Sequence, residues 1–330
     1  MTPVTDVFLQ RPNYSLCQTI DIRTLRTQAI QLSQRGSYCI ASLWLFRKVW
    51  LRSKKPTDYI AYLVFRRALG YLLTPTKVQI LQTLSAIPKR WLYGVYGHRW
   101  RQVQMLKAEY DFYRLQKLST AGIQNADLYM INHWRNSQDL WQQQLVQYLE
   151  AAFRVQLVGN SPKLRNSNLG NYIDTADWVI RFNHYFGEHC STEDTGRKCD
   201  LWVIAPGFRS TFVPDCDWVL LSGPNMLWWQ QLWGHLKPLS KKKLLSVPLE
   251  QWRHLVRQLA APPSAGLLTL EYISALPVEI SRIKLAGFGY NPDVTQDYHL
   301  ALPEHKATSR HNWQAEYQYL QRWLDNEGSQ

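Results

Sequence analysis

The second half of this 330-residue chain carries a small set of side chains able to move a proton or to hold an anion. His311-Asn-Trp-Gln-Ala-Glu316 places a carboxylate five residues after an imidazole. An imidazole that titrates near neutrality accepts a proton from a hydroxyl or, once protonated, stabilises a leaving anion. Tyr298-His299 lies twelve residues earlier, and His305 is its rival for the second of those tasks. Upstream, Val155-Gln-Leu-Val-Gly-Asn-Ser ends an apolar run in Gly159, Asn160 and Ser161. Glycine there lets backbone approach a ligand, and Asn and Ser offer donors and acceptors suited to phosphate or ribose. The run has neither the lysine of a P-loop nor the GxGxxG of a dinucleotide fold, and taken alone it is a turn. Ser264 precedes Ala265 and Gly266 as the N-cap of a predicted helix whose first N–H groups would receive a phosphate or carboxylate. Any capped helix has that signature.

The elements that must position these residues divide the chain near Glu150. Residues 1–150 form a basic, mainly helical region, with successive helices from about Thr24 and breakers at Pro56, Pro75 and Pro88. Residues 151–330 alternate short apolar runs with turns and helical stretches. Strands are predicted at Val155–Val158, Trp178–Arg181, Leu201–Ala205, Trp218–Ser222, Leu244–Val247 and Ile283–Ala286. Such runs, buried on both faces, predict an α/β fold with a Rossmann-like, mostly parallel sheet flanked by helices. Ligands bind beyond the carboxyl ends of strands in such sheets, so the loop after Val158 is the first expected site.

Charge is distributed unevenly. Residues 1–150 hold 20 Lys and Arg against 8 Asp and Glu, and residues 151–330 hold 18 against 17. The excess in the first half suggests an anionic partner, whether lipid headgroup, acidic glycan or nucleic acid, with a solvated basic helical surface as the plain alternative. The stretches Ser42–Lys55 and Lys89–Arg101 mix basic residues with Trp and Tyr, which suits either a membrane interface or an amphipathic helix packing its aromatic face inward. Five cysteines, Cys17, Cys39, Cys190, Cys199 and Cys216, have no metal-ligand spacing and are expected as reduced thiols. No signal peptide or transmembrane helix is expected, and the predicted location is cytoplasmic, with peripheral contact to the inner face of an anionic membrane as a further expectation.

The block from Val155 to Asp200 unites these signals. Gly159-Asn-Ser, Leu164, Ser167, Gly170, Ile173-Asp174, Asp177, Val179-Ile-Arg-Phe-Asn183 and Asp194-Thr-Gly-Arg-Lys198 resemble, in order and spacing, the long sialylmotif of glycosyltransferase family 29, the sialyltransferases. Pro263-Ser-Ala-Gly-Leu-Leu-Thr with Ile283-Lys-Leu-Ala-Gly-Phe-Gly289 looks like the short sialylmotif, and His311-x4-Glu316 has the spacing of the very short one.

The resemblance implies the GT-A-like variant of the α/β fold found in sialyltransferases. It also implies an inverting transfer of sialic acid, or a related 3-deoxy-ulosonic acid such as Kdo, from a CMP-activated sugar to a hydroxyl of a glycan or glycolipid acceptor. His311 would be the general base and His299 would contact the donor phosphate. Asn160 and Asn183 would contact the cytidine monophosphate, with Gly159, Ser161, Ser264, Ala265 and Gly266 completing the donor site. Glu316 is expected in support. Asp174, Asp177 and Arg181 are expected as a salt-bridge and capping network that holds the loop. No metal and no other cofactor is required on this reading.

The sequence departs from the family at several points. The cysteines that cross-link the long and short motifs in Golgi members are missing near Val155 and within Ala275–Ile283. Ala265 replaces a hydroxyl residue, Asp194-Thr-Gly stands for Asp-Val-Gly, and the interval from His299 to His311 is short. These changes bear on which sugar is transferred. Two other classes stay open: a catalytically silent glycan- or nucleotide-binding protein, and nucleic-acid binding through the basic half. The second is not expected, since no nucleic-acid-binding motif is present.

Overall fold

A computed structural model describes residues 20–71, 106, 125–187, 189–205, 213–223, 236–288, 299–302, 304 and 307–327. Among the described residues three helices come first: α1 (Ile22–Gln34), α2 (Ile40–Ser53) and α3 (Pro56–Ala68). Asp21 caps α1 by accepting from the N–H groups of Arg23 and Thr24, and Pro56 begins α3 where no N–H is needed. The aromatic residues of Ser42–Lys55 pack largely between helices. Phe46 stacks on Phe65 with centroids 4.8 Å apart, and Trp50 meets Tyr59 at 4.5 Å and Tyr62 at 5.8 Å. Arg26 forms a two-point ion pair with Asp58, at 2.9 and 2.7 Å, that ties α1 to α3. The second basic-aromatic stretch, Lys89–Arg101, lies outside the described residues. Among the described residues no helix is long and apolar enough to cross a membrane.

After α4 (Asn125–Asn136) and α5 (Gln138–Ala151), the chain enters a six-stranded sheet. Its strands are β1 (Val155–Val158), β2 (Trp178–Phe182), β3 (Leu201–Ile204), β4 (Trp218–Leu221), β5 (Lys243–Ser246) and β6 (Ile283–Ala286). All six were legible as short apolar runs, with ends that differ from expectation by at most one residue. The order is β5-β4-β3-β2-β1-β6, and every pair is parallel. Between strands lie the short helices α6 (Gly170–Asp174) and α7 (Thr192–Thr195). The helices α8 (Leu249–Leu259), α9 (Ala265–Ser274) and, last, α10 (Trp313–Glu327) follow in the second half.

The strand order fixes where a ligand can enter. From β1 the chain steps outward through β2 to β5 and then returns to lay β6 on the other side of β1. The loops after β1 and β6 therefore flank a switch point, where the carboxyl ends of the strands open a crevice. Apolar packing is continuous from Ala29 and Leu63 in the first helices, through Leu157 and Leu220 in the sheet, to Leu320 in α10. Polar links follow the same route: Trp252 Nε1–H donates to Ala68 O at 2.8 Å, and Tyr38 N–H donates to Ala260 O at 2.8 Å. Cys39, Cys190, Cys199 and Cys216 are free thiols, and Cys17 lies outside the described residues.

Candidate active site

Gly159 and Gly287 join the two loops of the switch point back to back. Gly159 N–H donates to Ala286 O at 2.8 Å and Ser161 N–H to Gly287 O at 3.1 Å, so the pairing of β1 with β6 continues past both strands. A Cβ on Gly159 would overlap the Gly287 carbonyl, and one on Gly287, whose φ is +66°, would lie 2.5 Å from Gly159 O. Only glycine fits either place. Ser161 uses its hydroxyl as a cap, accepting from Lys163 N–H at 3.3 Å, so its side chain first serves the turn at Pro162–Leu164.

Asn160 points its amide across the crevice. Nδ2 donates to Phe182 O at 2.8 Å and lies 3.1 Å from His299 Nε2. A carbonyl can only accept, so the atom facing Phe182 is the NH2 group, and His299 Nε2 must then carry a lone pair. The ring is thus the neutral tautomer with its proton on Nδ1. His299 is buried, and Leu300 N–H donates to Asn160 O at 2.8 Å, which pins this segment to the β1 loop. Asn160 and His299, separated by 139 positions, are brought together. His305 lies outside the described residues.

Asn183 directly follows β2 and has a φ of +47°, a conformation Asn tolerates better than most residues. Its Oδ1 accepts from Ala205 N–H at 2.8 Å, and its own carbonyl accepts from Trp202 Nε1 at 2.9 Å. Asn183 therefore bridges the carboxyl ends of β2 and β3, and Nδ2 is the part of its amide that can turn to a ligand.

The loop beneath the crevice is held by charges. Asp174 accepts from Arg197 N–H at 2.8 Å and Lys198 N–H at 2.9 Å. Arg181, 1% exposed, donates to Lys198 O and Thr195 O, both at 2.6 Å, with Asp174 at 3.8 Å. Burial pulls its pKa below the usual guanidinium value, against the opposing pull of Cys199, Tyr185 and Asp174. Asp177 accepts from Phe153 and Arg154 N–H, each at 2.9 Å. Through these bonds Asp174, Asp177 and Arg181 tie the loop to its neighbours. Sequence reading missed Asp194 as a fourth post. Its carboxylate accepts from Asn166 N–H at 2.8 Å and Asn168 N–H at 3.0 Å, both donors having left-handed backbone. The paired Asn residues were the available signal.

The predicted base sits where α9 and α10 begin. His311 Nδ1 lies 2.7 Å from Pro262 O; since that carbonyl only accepts, Nδ1 is the donor, and Nε2 of the neutral ring holds the lone pair. Glu316 Oε1 is 3.9 Å from the same Nδ1. Glu316 is fully buried and accepts from Ser264 N–H at 2.8 Å and Ser264 Oγ–H at 2.6 Å. Ser264 also caps α9, accepting from Leu267 N–H at 3.3 Å. With Ser264 engaged by Glu316, Ala265 and Gly266 are left to offer their N–H groups to an anion. A Cβ on Gly266 would come 3.0 Å from the Phe288 ring, which also meets Phe182 edge to face at 5.9 Å. Phe288 and the Pro262 carbonyl were not singled out from sequence; the Gly-Phe-Gly at the end of β6 could have found the first, and a backbone carbonyl leaves no trace by which to find the second.

Residues 150–218 match the profile described as glycosyltransferase family 29 (sialyltransferase). The resemblance read from the long-motif block is borne out by this match, which supports glycosyltransferase activity. Among solved structures, a mammalian sialyltransferase in complex with Gal-beta-1-3GalNAc-ortho-nitrophenol is similar at 16% identity, over 62% of this chain and 84% of its own, with a TM-score of 0.39. A second mammalian sialyltransferase structure is similar at 16% identity over 62% of this chain and 83% of its own, with a TM-score of 0.40. No curated protein matches the chain.

Proposed function

From the family 29 segment as premise, we propose that this chain is an inverting glycosyltransferase that moves sialic acid, or a related 3-deoxy-ulosonic acid such as Kdo, from a CMP-sugar to a glycan hydroxyl. The observation that carries the reading is His311, whose Nδ1 is anchored on Pro262 O at 2.7 Å. The anchor turns Nε2 into a proton acceptor and holds it in one tautomer.

The reaction is a single displacement. The acceptor oxygen forms its bond to the anomeric carbon as the bond to the CMP phosphate breaks, and the acceptor proton passes to His311 Nε2. The imidazolium so formed keeps its Nδ1–H on Pro262 O and has the buried Glu316 carboxylate 3.9 Å away. The electron pair leaves with the phosphate. His299, donating from Nδ1, and the N–H groups of Ala265 and Gly266 receive the negative charge that develops there. Asn160 and Nδ2 of Asn183 hold the nucleotide. No divalent ion enters the scheme.

Incubation with CMP-sialic acid and with CMP-Kdo, each with and without EDTA, tests it by release of cytidine monophosphate. Release from at least one donor, undiminished by EDTA and reduced roughly 10²- to 10⁴-fold in His311→Ala, is expected. Binding of CMP with no release from either donor would leave a silent nucleotide-binding protein instead.

A further inference from the structure

The loop between α1 and α2 reaches across the molecule to the segment that leads into α10. Gly36, at a φ of +77°, packs against Arg310 so closely that an added Cβ would overlap the Arg310 carbonyl. Backbone meets backbone there, with no room for a side chain. Two residues on, Tyr38 is buried, its ring edge to face with Phe65 at 5.3 Å. Arg310 Nη2–H donates to its hydroxyl oxygen at 2.7 Å, and its backbone N–H donates to Ala260 O at 2.8 Å.

Those two bonds fall on either side of the pair that defines the base. Arg310 immediately precedes His311, and Ala260 stands two residues before Pro262, whose carbonyl holds His311 Nδ1 at 2.7 Å. Ala260 closes α8 in the left-handed region, at a φ of +50°, a strained place for a residue with a Cβ. Such a conformation needs an outside hold, and Tyr38 N–H supplies one. From Ala260 the chain runs through Ala261 into Pro262 and Pro263. Proline fixes its own φ and restricts the residue before it, so little freedom is left between the carbonyl that Tyr38 holds and the one that His311 uses. Beyond the imidazole, Asn312 Nδ2 donates to Leu259 O at 3.1 Å. Both chain neighbours of His311 are therefore tied, Arg310 to the first helices and Asn312 to α8.

We propose that Tyr38 is a positioning residue for His311: holding Arg310 with its hydroxyl and Ala260 with its backbone, it clamps both partners of the His311–Pro262 hydrogen bond and makes the helical first half of the chain part of the active site. Tyr38 touches no reacting atom. It keeps Nδ1 on Pro262 O and so the lone pair on Nε2, because the partner of one ring nitrogen decides which tautomer a histidine adopts. The consequence for turnover rests on the function proposed above; the consequence for the ring does not.

Tyr38→Phe tests this, since it removes one hydroxyl and keeps both the ring beside Phe65 and the N–H on Ala260 O. Nitrogen NMR of the full chain with isotope-labelled histidine, at mildly alkaline pH where an imidazole is neutral, reads the tautomer of His311, whose signal is assigned by its loss in His311→Gln. Wild type should show the proton fixed on Nδ1, and Tyr38→Phe a mixture of the two tautomers. Release of CMP from CMP-sialic acid or CMP-Kdo, with water as acceptor, should fall roughly 10- to 100-fold in kcat while KM for the donor stays near that of wild type. Arg310→Ala should match Tyr38→Phe, and Arg310→Lys should recover part of the loss. The double variant Tyr38→Phe, Arg310→Ala should be no worse than either single change, because the two residues are members of one contact. An unaltered tautomer in Tyr38→Phe would overturn the proposal, as would a kcat equal to that of an active wild type or losses that add in the double variant. A tautomer freed in Tyr38→Phe, when wild type itself releases no CMP, would uphold the clamp and sink the transferase reading.

Discussion

Glu316 accepts both the backbone N–H and the hydroxyl of Ser264, a residue 52 positions earlier, from a site with no solvent exposure. The two bonds lock the start of α9 to the first turn of α10, and the lock holds His311 over Pro262. They also place a buried negative charge at the positive end of the α9 dipole. Further along, Tyr319 Oη on Glu271 and Trp323 Nε1 on Ser274 Oγ at 3.1 Å continue the union, so the helices run side by side in the same direction.

Glu316→Ala should therefore destabilise the protein, because it leaves the buried Ser264 donors without an acceptor. A loss of about 1–3 kcal/mol is expected in urea unfolding. Glu316→Gln keeps an acceptor oxygen and should cost less stability, yet it removes the charge 3.9 Å from His311 and should lower turnover while the KM for donor stays near that of wild type. A Gln variant with full turnover would show that Glu316 acts through packing alone.

The two glycines at the switch point should not tolerate alanine. In Gly287→Ala the methyl meets Gly159 O at 2.5 Å and a Leu164 methyl at 2.7 Å, on backbone of positive φ. The loops after β1 and β6 must then separate, and Asn160 moves away from His299. Titration with cytidine monophosphate should show weaker binding for both Gly159→Ala and Gly287→Ala, by tenfold or more if the protein still folds. Unchanged affinity in both would place the nucleotide elsewhere.

Asn160→Ala and Asn183→Ala should differ from each other. Both are expected to weaken nucleotide binding, by roughly 1–3 kcal/mol where a buried ligand group loses its partner. Asn183→Ala should in addition lower the melting temperature, since it leaves Ala205 N–H without its 2.8 Å partner and puts alanine at a φ of +47°. Equal melting temperatures for the two variants would contradict the bridging role of Asn183.

Acid should expose the contribution of Asp194. The N–H groups of Asn168 and then Asn166 hold its carboxyl below the usual carboxylate range. A carboxylate whose folded pKa is depressed stabilises the fold above its unfolded pKa, about 3.9, and the benefit fades as pH falls through the lower, folded value. The stability gap between wild type and Asp194→Ala should be full at neutral pH and shrink below about pH 4. Urea midpoints measured across that window check it, and a gap independent of pH would assign the effect to packing.

Much of this was legible in the sequence because its cause is local. Val155–Val158, Leu201–Ile204 and Trp218–Leu221 are apolar runs too short for helices and bounded by turn residues, so they read as strands wherever the chain carries them. The spacing from His311 to Glu316, the Ser264 cap and the carboxylate-bearing loop from Asp174 to Lys198 are likewise properties of neighbouring residues. Tertiary structure alone decided that β6 returns beside β1, which brings Gly287 against Gly159 and His299 to within 3.1 Å of Asn160. It alone chose Pro262 O as the partner of His311 and carried Tyr38 to Arg310. Those choices depend on contacts between distant positions, several made by backbone carbonyls that every residue possesses, so no residue type or spacing announces them.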